Sequence, residues 1–152
     1  MNRSCIPLLL VVPVLSGLLL SGCGKGSDAS KAECAINAGP CVGEAVPDGL
    51  SVSFDIGPKP VSSMSPLTFS VFLQEKKRTI TDAKVTVDLT MPGMYMGGNK
   101  TALSLTESGR YEGKGVIPRC PSRRKIWKAE VMVERPSHPG RTATASFIFE
   151  VK

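Results

Sequence analysis

Histidine is almost missing from this sequence: His138 is the only one. That excludes a zinc or Cu(II) site built on several imidazoles. His138 sits in Pro136-Ser-His-Pro-Gly140, a tight turn, with no partners placed to complete a hydrolytic triad. Paired carboxylates are missing too, because Asp55, Asp82 and Asp88 read as strand and turn surface. No window has the period of an amphipathic helix, which removes the helix-built fold classes. There is no internal repeat and no low-complexity segment. Cys34 and Cys41 are spaced more widely than the Cys-x-x-Cys of thiol oxidoreductases. The longest apolar run, Ile6 to Leu20, falls short of the ~20 residues of a spanning helix. Pro7, Pro13 and Gly17 also interrupt it. With no catalytic constellation left, the chain reads as a non-enzyme.

What is present begins with an address. Arg3 gives a positive start, the apolar run follows, and small residues lead to Leu20-Ser-Gly-Cys23. This is the pattern of a secretory signal peptide. The tetrapeptide resembles the lipobox of bacterial lipoproteins. The resemblance implies cleavage before Cys23, a lipid on its sulfur and a firm membrane anchor without a spanning segment. Gly24, and not aspartate, follows the cysteine, which points to the outer rather than the inner membrane. The expected organisation is a signal peptide over 1–22, a lipidated Cys23 with tether and small loop over 23–46, and one domain over 47–152. An exported, anchored protein meets no nucleic acid. The formal charge of +6 then serves solubility and attraction to anionic surfaces.

Cysteine usage fits an oxidising compartment. Cys5 leaves with the signal and Cys23 takes lipid, so Cys34, Cys41 and Cys120 remain. Cys34-Ala-Ile-Asn-Ala-Gly-Pro-Cys41 reads as a disulfide-closed loop returning at Gly39-Pro40, worth about 2–3 kcal/mol of chain entropy. Cys120 is left odd: buried, paired between molecules, or used as a thiolate ligand.

From Leu50 onward the pattern alternates with period two. Val52, Phe54 and Ile56 share a face, as do Leu67, Phe69, Val71 and Leu73, then Val85, Val87, Leu89 and Met91. A short run carries Leu103 and Leu105, and residues 110–117 carry Tyr111. Trp127, Ala129, Val131 and Val133 follow, then Ala143 to Val151. Gly- and Pro-rich turns separate every pair. The fold expected is all-β, an immunoglobulin-like antiparallel sandwich of about seven strands with Trp127 at its centre. Gly113 and Gly115, inside a strand, predict a bulge or a close backbone approach.

The chemistry concentrates in Met91-Pro-Gly-Met-Tyr-Met-Gly-Gly98, which holds three of the six methionines. Thioether sulfur is soft and suits Cu(I). The Pro92-Gly93 turn folds Met91 and Met94 back toward each other, and Met94 and Met96 share a side if extended. The competing reading is a set of flexible side chains closing one end of the core. The run from Val85 to Val133, with this loop, then Gly109-Arg-Tyr111-Glu-Gly and Trp127-Lys-Ala-Glu-Val131, resembles the YtkA-like family of exported bacterial proteins. That family is similar to the FixH group linked to assembly of copper-dependent oxidases. The resemblance implies an immunoglobulin-like sandwich that handles copper or another metal outside the cytoplasm. Pro118-Arg-Cys120-Pro-Ser-Arg-Arg124 and the Cys34–Cys41 segment depart from the family pattern.

The expected site is Cu(I) held by Met94 and Met96, with Met91 third and Cys120 a fourth ligand. In such a sandwich the strands flanking these two loops are neighbours, which makes a Met–Cys meeting plausible. The expected function is copper binding, delivery or tolerance by a periplasmic lipid-anchored protein. The alternative is an adaptor docking to an envelope complex, with the methionines as packing. Arg119, Arg123, Arg124, Lys125 and Lys128 form either a docking patch for an acidic partner or lipid headgroups, or a solvated loop.

Overall fold

The computed structural model describes residues 31–95 and 97–152. The expected signal peptide, Cys23 and Met96 lie outside the described residues. No helix occurs among those described, and none is therefore long and apolar enough to cross a membrane. Nine strands form instead: β1 (Cys41–Ala45), β2 (Leu50–Gly57), β3 (Leu67–Glu75), β4 (Arg78–Thr79), β5 (Lys84–Thr90), β6 (Lys100–Leu105), β7 (Tyr111–Gly115), β8 (Ile126–Glu134) and β9 (Thr142–Glu150).

The alternation seen in the sequence becomes burial. Along β2, Leu50, Val52, Phe54 and Ile56 are buried, and along β8, Trp127, Ala129, Val131 and Val133 are. Met132, with the opposite parity, is only half-buried. Trp127, Tyr111, Phe54, Phe69 and Phe149 are the bulkiest fully enclosed side chains of the core. Phe54 stacks on Phe147 at 5.6 Å between ring centroids and on Phe69 at 6.5 Å. Such offset pairs add about 0.5–1.5 kcal/mol each to what area burial supplies.

All pairings between strands are antiparallel, in the order β1-β2-β3-β7-β6-β5-β8-β9, with β4 on β3. The segment from β2 to β9 has the four-plus-three order of an immunoglobulin-type sandwich. β6 is the strand that turns the corner. Its first part pairs with β5 (Val85↔Leu103 to Asp88↔Lys100) and its end with β7 (Ser104↔Glu112, Leu105↔Tyr111). Gly113 and Gly115 make that crossing possible. A Cβ on Gly113 would stand 2.6 Å from Leu103 Cδ2 and 2.8 Å from the Ala102 carbonyl oxygen. One on Gly115 would run into the Phe69 ring. The close approach expected from these glycines is the passage of β6 over β7.

Two strands exceed the seven expected. β4 is a two-residue exposed pairing with Gln74 and Glu75. β1 falls where only a tether and a small loop were expected, and it carries the sheet ahead of the expected boundary at residue 47. It pairs with β2 from Cys41↔Phe54 to Ala45↔Leu50. Val46 then exchanges two backbone hydrogen bonds with Thr144 on β9 (3.1 and 2.8 Å), nearly closing the sandwich. Its inward positions, Cys41, Gly43 and Ala45, are small because Phe147 lies over Gly43, with Cε1 3.0 Å from where a Cβ would be. Small residues leave no hydrophobic alternation to read. The seventh-to-eighth strand region also differs: β7 ends at Gly115 and not at residue 117, because Pro118 and Pro121 take the chain out of the ladder.

The Cys34–Cys41 disulfide is present, with Cα atoms 5.8 Å apart. Its loop is built into the fold. Ile36 is buried, Asn37 Nδ2 donates to the Glu150 carbonyl (3.0 Å), and Val61 N–H donates to Asn37 Oδ1 (2.7 Å).

Candidate metal centre

β5 ends at Thr90, paired with Lys128 on β8. The chain then makes a tight turn. Met94 N–H donates to the Met91 carbonyl (3.0 Å), with Gly93 at φ 73°. Proline followed by a residue of positive φ is the signature of a type II turn, and only glycine takes that position without strain. The loop is tied at its base, where Leu89 N–H donates to the Asn99 carbonyl (3.0 Å). The expected fold-back of Met91 and Met94 is therefore present. The two methionines have different surroundings. Met91 is 2% exposed and belongs to the core, whereas Met94 is half-buried and packs on the core from its lip. Tyr95, the next residue, is 93% exposed.

Cys120 comes from the loop between β7 and β8. That loop turns sharply as Arg123 N–H donates to the Cys120 carbonyl (3.0 Å). Because β5 and β8 are paired, this loop and the methionine turn share one end of the sandwich. Cys120 Sγ lies 3.8 Å from Met94 Sδ. The thiol is free and buried. Ser122 Oγ is 2.9 Å from the same sulfur. That hydrogen bond, with smaller help from backbone N–H groups of Ser122 and Arg124 and the Arg124 charge, holds the thiol below its ordinary pKa against the opposing effect of burial. A thiolate, not a thiol, is the metal ligand and nucleophile.

The spacing of the two sulfurs suits a shared ion. With metal–sulfur bonds of about 2.3 Å and tetrahedral angles, two ligand sulfurs stand about 3.8 Å apart. A cysteine sulfur and a thioether are both soft donors, the class that suits Cu(I). No group of three or more His, Cys, Asp or Glu side chains that could hold a metal occurs among the described residues. A metal here rests on methionine together with Cys120. No family model matches this chain, and no curated protein or solved structure is significantly similar to it.

Of the expected ligands, Met91, Met94 and Cys120 come to one end of the fold, and Met96 lies outside the described residues. Ser122 and Arg124 were not expected at the site. Ser122 is two residues from Cys120 in a tight turn, which is the signal that could have found it. Arg124 reaches over the turn at Gly93, where a Cβ would stand 3.9 Å from its Nη1. The expected basic cluster changes membership. Lys128 instead pairs with Glu130 (2.6 Å) on the sheet, and Lys152 joins Arg119, Arg123, Arg124 and Lys125 around a cleft. His138 stays in its turn, with Nδ1 3.1 Å from Ser137 Oγ.

Proposed function

We propose that this protein binds Cu(I) through the sulfurs of Met94 and Cys120, and that it carries or delivers the ion. Met91, at the start of the turn, is the third candidate donor, and Met96 is the fourth by its place in the sequence. The observation that carries the reading is the 3.8 Å separation of Cys120 Sγ and Met94 Sδ. The lowered pKa of Cys120 supports it, because less free energy is then lost in removing the proton that the metal must displace. The resemblance to YtkA-like proteins and the Leu20-Ser-Gly-Cys23 motif add the setting: lipid-anchored, outside the cytoplasm, with an envelope protein as donor or acceptor.

A second reading has its own observation. Met91 is a buried member of the core, and Met94 packs against the core. On that reading the methionines only close the end of the sandwich, and the domain is an adaptor. An anaerobic Cu(I) titration of the chain from Gly24 onward, against a competing chelator, separates the two. One tight equivalent, lost in the Met94→Ala/Cys120→Ser double variant, is the expected result. Binding no stronger than that of the double variant would end the copper reading and leave the adaptor.

A further inference from the structure

On the other side of the Cys120 loop lies a cleft of about 580 Å³ between residues 62–63 and residues 119–125. Five cationic side chains line it: Arg119, Arg123, Arg124, Lys125 and Lys152. Ser62 and Ser63 form the facing wall, with Cys120 and Val151 between, and no Asp or Glu side chain contributes to the lining. None of the five cations makes an ion pair among the described residues; Lys31, Lys76, Lys77, Arg78, Arg110 and Lys114 make none either, but those do not line a common cleft with the five. Five cationic side chains lining one cleft with no acidic side chain among them repel one another and destabilise the bare cleft. Evenly solvated surface charge would be spread out and interspersed with acids.

The backbone holds both walls in place. Arg123 has φ 58° and Met64, next to Ser63, has φ 61°, neither being glycine. Left-handed conformations at such residues cost free energy and persist where the surroundings fix them. Each is tied by a hydrogen bond: Arg123 N–H to the Cys120 carbonyl, and Met64 N–H to the Ile117 carbonyl (2.9 Å). Behind them, Val151 N–H donates to the Lys125 carbonyl and Lys152 N–H to the Val61 carbonyl, which joins the two walls through the end of the chain. The cleft is thus a concave and fixed shape with unpaired guanidinium groups at its rim.

We propose that this cleft binds a phosphate group. Guanidinium forks match the paired oxygens of phosphate, and serine hydroxyls supply further donors. The concave shape favours a compact oxyanion over a flat acidic protein face. The phosphate comes either from a phospholipid headgroup or from a free phosphorylated solute, and both present the same chemistry to the cleft. This site does not depend on the copper reading and would stand if copper does not bind.

The test is calorimetric titration of the full chain, in nonionic detergent, with two probes. One is inorganic phosphate, and the other is glycerophosphoglycerol, the deacylated headgroup of an anionic phospholipid. Sodium chloride at matched ionic strength is the blank, since non-specific attraction is screened by salt. The variants are Arg119→Gln/Arg124→Gln and, as a control for lost charge elsewhere, Lys76→Gln/Lys77→Gln. All four positions are exposed, so folding is retained. Saturable binding of either probe, weakened by about tenfold or more in the arginine pair and unchanged in the lysine pair, is the expected result. Preference for inorganic phosphate assigns a free solute, and preference for the diester assigns a lipid headgroup. No saturable binding of either probe above the chloride blank overturns the proposal. Equal weakening by the two variant pairs overturns it as well, because only net charge would then be at work.

Discussion

Replacing Met94 by alanine separates a metal ligand from a packing residue, provided that Met91 is replaced in parallel. Met91 is 2% exposed within the core. Truncating a fully buried methionine removes its transfer free energy and leaves a cavity, about 2–5 kcal/mol in all. Met94 is only half-buried at the lip of the core. Full burial of a methionine is worth about 1.5–3 kcal/mol, so half of it gives about 1 kcal/mol. For a domain of this size, that is a fall of about 4 °C in Tm, against 8 °C or more for Met91→Ala. Copper affinity ranks the two in the opposite order. Met94 Sδ is the sulfur in contact with Cys120, so Met94→Ala should weaken Cu(I) binding by ~100-fold, or about 2.8 kcal/mol. Met91→Ala should weaken it less, once measured below its own melting temperature. Urea titration gives the stability arm, and anaerobic chelator competition gives the affinity arm. A Met94→Ala protein that loses as much stability as Met91→Ala, with Cu(I) binding unchanged, would refute the assignment of Met94 as a ligand.

Three other outcomes follow from the geometry. The pH profile of Cys120 alkylation should have its midpoint below that of the same chain unfolded in urea, because Ser122 and Arg124 favour the thiolate in the fold. Ser122→Ala should move that midpoint upward, and Cu(I) binding should fall as pH drops through it, since proton and metal compete for one sulfur; a midpoint equal to the unfolded value would contradict the hydrogen-bond argument. Gly113→Ala should cost about 2 kcal/mol or more by thermal melt, because its methyl would meet the Ala102 carbonyl and Leu103 where β6 crosses β7; an unchanged melt would mean that the crossing can relax. Cys34→Ala/Cys41→Ala should lose about 2–3 kcal/mol in urea titration with the m-value little changed, and a loss near zero would remove the loop as a stabilising element.

The strands that alternate strongly were legible in the sequence. Val52-Ser-Phe-Asp-Ile and Trp127-Lys-Ala-Glu-Val bury alternate positions as their pattern predicts. β1 was not legible, because its central inward position, Gly43, is kept bare by a partner distant in sequence, the Phe147 ring. Local pattern carries no record of a partner that distant. The methionine turn was legible through Pro92-Gly93, whose turn chemistry is local. The meeting of Met94 with Cys120 was legible only through the fold, since it needs β5 and β8 to be neighbours. The basic cleft was half legible. The run of basic residues stands out, but its membership depends on which strand each one leaves. Lys128 is already on β8 and turns to Glu130, while Lys152 arrives from the end of β9.

Met91 and Met94 are three residues apart and held by one backbone hydrogen bond, yet they sit on opposite sides of the boundary between core and loop. This arrangement favours a soft-metal site. Methionine has three rotatable bonds, and a ligand set made only of mobile thioethers would lose much side-chain entropy on binding. Burying Met91 pins the first corner of the turn, and Gly93 fixes the direction in which Met94 leaves it. Cys120 is pinned separately by the turn to Arg123 and the Ser122 hydroxyl. The sulfur pair is therefore set at 3.8 Å by two loops anchored on adjacent strands, and on the proposed copper reading much of the ordering cost would be met in folding rather than at the moment of binding. A core-filling role alone requires burial of Met94. It does not require a buried free cysteine with its pKa held down to be the neighbour that Met94 meets.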